Sequence, residues 1–80
     1  MPSDEEIAAI LIVLAQRRGR GASFCPSEAA RALCADWRPL MPRIRRVAED
    51  LTAQGVMVAT QKGVVVSLAE ARGPVRLRLR

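Results

Sequence analysis

The sequence has 80 residues, of which half are apolar, with 13 basic and 8 acidic side chains. A chain of this length forms one small domain, predicted here over residues 1–80, with room for only a simple core. The longest near-apolar run, residues 7–15, is shorter than the roughly 20 residues that span a bilayer, and acidic residues precede it where a signal peptide would carry positive charge. We therefore expect a cytoplasmic protein with no membrane contact.

The first helix is predicted from a capping box, in which Ser3 and Glu6 satisfy each other's backbone N–H groups. Ile7, Leu11 and Leu14 then follow the spacing of a single buried stripe. Gly19, preceded by two arginines, is a typical end to such a helix.

The second helix is predicted after a short extended link that ends at Phe24. Pro26 stands at a first helical position, and the helix runs to about Ala35. If Cys25 and Cys34 both belong to this helix, its rise separates their α-carbons by roughly 13 Å, too far for a disulfide. We expect two reduced thiols, as is usual in the cytoplasm.

The third helix is predicted to open at Asp36 or Trp37 and to stop at Gly55. Pro39 and Pro42 are tolerated in its first turn, where N–H groups have no helical partners. Its buried stripe consists of Leu40, Ile44, Val47, Ala48 and Leu51. The short connection between the second and third helices is typical of a helix-turn-helix.

After Gly55 the periodicity changes to that of strands. Residues 56–60 and 64–66 are rich in β-branched side chains and flank a Lys62–Gly63 turn, which predicts a β-hairpin. Residues 75–80 alternate apolar and arginine side chains, which predicts a half-buried strand. The predicted fold is α+β: a winged helix-turn-helix, with three helices followed by a β-hairpin wing and a C-terminal strand.

Four segments resemble a bacterial family of uncharacterised proteins, the domain of unknown function 3253. They are S-F-C-P-S-E-A-A-R-A-L at 23–33, W-R-P-L-M-P-R-I-R at 37–45, T-Q-K-G at 60–63 and R-G-P-V-R-L at 72–77. The resemblance implies a winged-helix-like fold in small bacterial proteins and carries no settled activity.

The basic composition makes a polyanion a plausible partner, since the formal net charge is +5 and 12 of the 13 basic residues are arginine. The predicted interface with double-stranded DNA has four arginines at the start of helix three, Lys62 at the wing tip, and Ser27 with the helix-two N-terminus on phosphate. The four arginines are Arg38, Arg43, Arg45 and Arg46.

Each part of this interface has an alternative. Arg45 and Arg46 stand four residues before Glu49 and Asp50, the spacing of intrahelical ion pairs on a solvated face, and Lys62 is also ordinary at an exposed turn. A secondary basic stripe on the last strand has two interpretations: it binds phosphate or an acidic protein surface, or it guards the edge of the sheet. The stripe consists of Arg76, Arg78 and Arg80.

The sequence offers few residues that could catalyse a reaction, because the chain has no His, no Tyr and no nucleotide-binding motif. We predict no enzyme activity, no catalytic residue, no metal, no cofactor and no small-molecule substrate. Trp37 is expected to pack in the core, and Cys25 is expected to be structural, with a small redox protein as the third hypothesis.

The first hypothesis is a DNA-binding domain. The second is a protein-interaction module on the same fold, with a different protein or a second copy as partner.

Overall fold

The computed structural model describes residues 1–80. Helix α1 spans Asp4–Arg18 and begins with the predicted capping box: Ser3 Oγ accepts from the Glu6 N–H, and Glu6 Oε1 accepts from the Ser3 N–H, each at 3.1 Å. Gly19 ends the helix with a φ of 79°, a conformation that glycine adopts without steric cost. The predicted start and end of this helix are confirmed.

Helix α2 spans Pro26–Leu33 and is two residues shorter than predicted. Cys34 takes an extended backbone (φ −155°, ψ 138°), which stops the helix before Ala35. Cys25 and Cys34 are therefore the two residues that flank the helix, not residues inside it. Both are free thiols held apart by the length of α2.

The predicted opening of the third helix at Asp36 or Trp37 is wrong. Residues Arg38–Leu40 form a separate 3-10 turn, and helix α3 spans Met41–Ala53. Pro42 explains this split, because an α-helix that opened at Asp36 or Trp37 would need the N–H of residue 42 as an internal donor, and proline has none. The predicted stripe is confirmed: Leu40, Ile44, Val47, Ala48 and Leu51 are all buried.

The sheet has three antiparallel strands, β1 (Met57–Gln61), β2 (Val64–Val66) and β3 (Arg76–Leu79), in the order β2-β1-β3. Lys62 and Gly63 have φ angles of 50° and 80°, as a two-residue hairpin turn requires, and they confirm the predicted turn. The segment predicted as a link adds one more backbone pairing. Phe24 exchanges N–H···O bonds of 2.8 and 2.9 Å with Leu77 on the outer edge of β3.

One core joins the three helices to the inner face of the sheet. Its largest fully buried side chains come from every layer: Phe24, Ile7, Leu11, Leu40, Ile44, Met57 and Leu77. The result is an α+β fold of three helices followed by a three-stranded antiparallel sheet, consistent with a winged-helix arrangement. None of its helices has the length and apolar character to cross a bilayer.

Candidate nucleic-acid interface

The four arginines predicted to form one face at the start of α3 are dispersed over three different environments. Arg43 and Arg46 share Asp4 at the start of α1, with Nη2 to carboxylate distances of 2.8 and 3.0 Å. The predicted pairs of Arg45 with Glu49 and of Arg46 with Asp50 do not form. Asp4 replaces them because α1 packs beside α3, and this tertiary contact places a carboxylate between two guanidinium groups.

The pKa of the Asp4 carboxyl is lowered, first by the hydrogen bond from Arg43 and then by the nearby charge of Arg46. A lowered pKa in the folded state means that ionised Asp4 contributes stability above its unfolded pKa. This contribution is lost as the pH falls through the lowered folded value.

Replacing Asp4 by Asn should therefore lower Tm at neutral pH by a few degrees at most, since the ion pairs are solvent-exposed. Thermal unfolding of both proteins across the acid range checks this. The difference in Tm should shrink as the pH falls through the lowered pKa of Asp4, where the parent carboxyl is itself neutral. A difference that is constant down to the lowest pH would show that charge on Asp4 is not its cause.

Arg45 of α3 binds the loop between β2 and β3 through side-chain hydrogen bonds. Its Nη2 donates to the Ala71 carbonyl at 2.6 Å and its Nη1 to the Gly73 carbonyl at 3.2 Å. From the other side, Gln61 Nε2 donates to the carbonyls of Arg72 and Pro74 at 2.6 and 3.2 Å. Arg45 is half-buried and both of its terminal nitrogens donate to loop carbonyls, so its geometry is that of a structural anchor.

Replacing Arg45 by Ala should cost about 1–3 kcal/mol, the range for hydrogen bonds from a charged donor. Amide hydrogen exchange should quicken in residues 67–74 and stay unchanged in α1. Replacing Arg46 by Ala is the matched control, since Arg46 is exposed and does not touch this loop. Equal exchange rates in the Arg45 variant and the parent would contradict the anchoring role.

The secondary basic stripe on β3 is partly tied to the chain itself. Arg76 binds Ser23 through both Nε and Nη2, at 2.7 Å to the hydroxyl and 2.9 Å to the carbonyl. Arg80 lies over Gly55, where an added Cβ would stand 2.8 Å from its Nη1. Arg76 and the Phe24 bridge cover the outer edge of β3, which is the geometry that the guarded-edge interpretation expects, whereas Arg80 lies on the β1 side.

Ser27 and Lys62 occupy very different sites. Ser27 Oγ lies 3.1 Å from Cys25 Sγ, beside Glu28, whose carboxylate accepts from the Cys25 N–H and pairs with Arg18. The N-terminus of α2 therefore already has an anionic partner, which works against a phosphate there. Lys62 is exposed at the hairpin turn and forms no ion pair.

Two exposed arginines without ion-pair partners lie beside Trp37, and only one of them was predicted as a DNA contact. The guanidinium carbons of Arg31 and Arg38 lie over the ring of Trp37, at 4.6 and 4.7 Å from its centroid. We call these three residues the Trp37 cluster. Both arginines are exposed and neither forms an ion pair or donates a hydrogen bond, whereas Trp37 is half-buried against the core.

The sequence predicted Arg38 as a DNA contact and Trp37 as a core residue, but it predicted neither a role for Arg31 nor the stacking. The turn between α2 and the 3-10 segment brings Arg31 back beside a tryptophan six positions later. The sequence contains one signal for this cluster, because Arg31 lies in the last turn of α2, shortly before Trp37 and Arg38. Only the geometry of the intervening turn decides whether these side chains meet.

Comparison with known proteins supplies a family. A family model described as "Protein of unknown function (DUF3253)" matches residues 4–80, which is nearly the whole chain. No curated protein matches the sequence.

Proposed function

We propose that this chain, which belongs to the DUF3253 family of proteins of unknown function, binds double-stranded DNA through the Trp37 cluster. The observation that carries the proposal is the pair of exposed arginines over one tryptophan ring, neither of which forms an ion pair in its own chain. Of the residues predicted to contact DNA, Arg38 belongs to the cluster. Lys62 and Arg46 are further exposed cations.

Stacking prepares the two arginines to bind phosphate. A guanidinium group stacks through its flat face, so its five N–H donors stay in the plane and point outwards. The stacking also restricts the side chain, which reduces the rotamer entropy lost on binding. Because both guanidinium carbons lie within 4.7 Å of one centroid, the two cations share one part of the surface, and each is able to bind a phosphate of the same duplex.

The position of the cluster fits the way helix-turn-helix domains approach DNA. Trp37 and Arg38 lie in the connection that leads into α3, and the N-terminal end of the second helix of such a motif is the part that enters the major groove. Glu49 and Asp50 stand in the second half of α3 without ion-pair partners, where they would repel phosphate. The contact is therefore confined to the N-terminal half of α3 and the turn before it.

Contacts with phosphate position a protein on DNA but carry no sequence information. Of the exposed side chains in the N-terminal half of α3, Pro42 offers no hydrogen bond to a base edge and Arg46 is already paired with Asp4. We therefore propose binding with little sequence preference. We also propose that the protein works without catalysis or a cofactor, since the Glu28 carboxylate beside Cys25 and Ser27 is already bound by Arg18 and by the Cys25 N–H, and the chain has no His.

The test is an anisotropy titration of a labelled random-sequence duplex at a series of salt concentrations. Two to four phosphate contacts predict that log K falls against log salt with a slope of about −2 to −4. Affinity should be similar for duplexes of unrelated sequence. Absence of binding at the lowest salt concentration would refute the proposal.

A protein-interaction module is the second candidate, and one observation favours it. Val64 and Val65 of β2 are 65% and 59% exposed, on a part of the sheet away from the Trp37 cluster. A protein partner on β2 would leave the cluster free, so the two functions are compatible on one domain.

A further inference from the structure

The two edges of the sheet are built differently. The edge formed by β3 pairs with Phe24 and carries arginine side chains, which are common protections against pairing with another chain. The edge formed by β2 consists of Val64, Val65 and Val66, with no charge and no proline. An exposed edge strand of β-branched residues without such protection is able to pair with another strand.

The register shows which backbone groups are available on β2. Gln61 and Val64 close the two-residue turn and form a hydrogen-bonded pair, so the next pair, Thr60 with Val65, is a non-hydrogen-bonded one. The N–H and C=O of Val65 therefore point away from β1. They form one donor and one acceptor at the centre of the free edge.

We propose that β2 pairs with β2 of a second copy of this chain, in an antiparallel arrangement that joins two three-stranded sheets into one of six strands. A two-fold axis through Val65 places each Val65 opposite its counterpart, and the two residues exchange N–H···O bonds. Val64 of each chain then lies opposite Val66 of the other. The pairing is independent of the proposed DNA binding.

Charges at the two ends of β2 favour the same arrangement. Lys62 precedes the strand, Glu70 follows it, and both are exposed with no ion pair in their own chain. With Val65 on the axis, the hairpin turn that carries Lys62 lies at the same end of the pair as the turn after β2 of the second copy, which carries Glu70. The antiparallel pairing thus brings opposite charges together at both ends.

The experiment is sedimentation velocity over a range of concentrations of the full chain. The parent should change from 8.7 kDa towards twice that mass as its concentration rises. Val65→Pro removes the outward N–H and is compatible with an edge strand, so the monomer should keep its circular dichroism spectrum while the dissociation constant rises roughly tenfold or more. Val65→Thr is the matched control and should dimerise like the parent.

A charge exchange provides the second variant pair, on residues whose replacement does not endanger folding. Lys62→Glu should weaken the dimer at low salt, and adding Glu70→Lys should restore it. A parent that stays at 8.7 kDa at every concentration would overturn the proposal. So would a Val65→Pro protein that dimerises as tightly as the parent, or a double charge exchange that fails to restore what Lys62→Glu lost.

Discussion

Replacing Phe24 by Ala should cost about 3–5 kcal/mol of the free energy of unfolding. Phe24 is the only phenylalanine, it is fully buried, and its backbone pairs with Leu77 at the edge of β3. The substitution leaves a cavity where α1, α2 and the sheet share one core. At about 0.05–0.15 kcal/mol per residue, the loss is a large part of the total stability of so small a domain.

Chemical denaturation followed by circular dichroism measures this effect. Val13→Ala is the control, because Val13 is 36% exposed on α1 and its removal should change stability by no more than about 0.5 kcal/mol. A Phe24→Ala protein as stable as the Val13→Ala protein would show that Phe24 does not hold the helices to β3.

Replacing Arg31 and Arg38 together by Ala should weaken binding to any duplex and reduce the steepness of log K against log salt by up to about 2. Each arginine offers one independent cation to phosphate, and neither is neutralised by a carboxylate in its own chain. Folding stability should change little, because both side chains are exposed.

Two variants separate the proposed contact from a general effect of charge. Arg31→Lys with Arg38→Lys keeps both charges and should retain the salt slope while losing affinity, since lysine lacks the planar fork and the stacking face. Arg78→Ala with Arg80→Ala removes two charges from β3 and should alter binding much less. Equal losses in the β3 variant and in the Trp37 cluster variant would show that only the net charge matters.

Local signals in the sequence predicted most of the fold. The Ser3–Glu6 capping box fixes the start of α1, the Lys62–Gly63 pair fixes the hairpin turn, and the stripe through Ile44 and Leu51 fixes the buried face of α3. Each of these signals acts between residues that are close in sequence. The pairing of Phe24 with Leu77 was not predicted, because nothing local to Phe24 indicates a strand 53 residues away.

The candidate site was less predictable for the same reason. Spacing alone paired Arg46 with Asp50, whereas the folded chain pairs it with Asp4, 42 residues away. Arg45 was expected on an outward face, but the loop that follows β2 supplies carbonyl acceptors from 26 and 28 residues further along. A cation takes the nearest acceptor in space, and only the packing of α1 and the loop against α3 determines which acceptor that is.

Trp37 provides the most direct test of the central claim, because the chain has one Trp and no Tyr, so its intrinsic fluorescence reports on the cluster alone. A labelled random duplex should be titrated at low salt while DNA anisotropy and Trp37 emission are both recorded. Phosphate binding to Arg31 and Arg38 changes the cations stacked on the indole, so both signals should change and saturate together. Anisotropy that never rises, or that rises while Trp37 emission stays constant, would contradict DNA binding through this cluster.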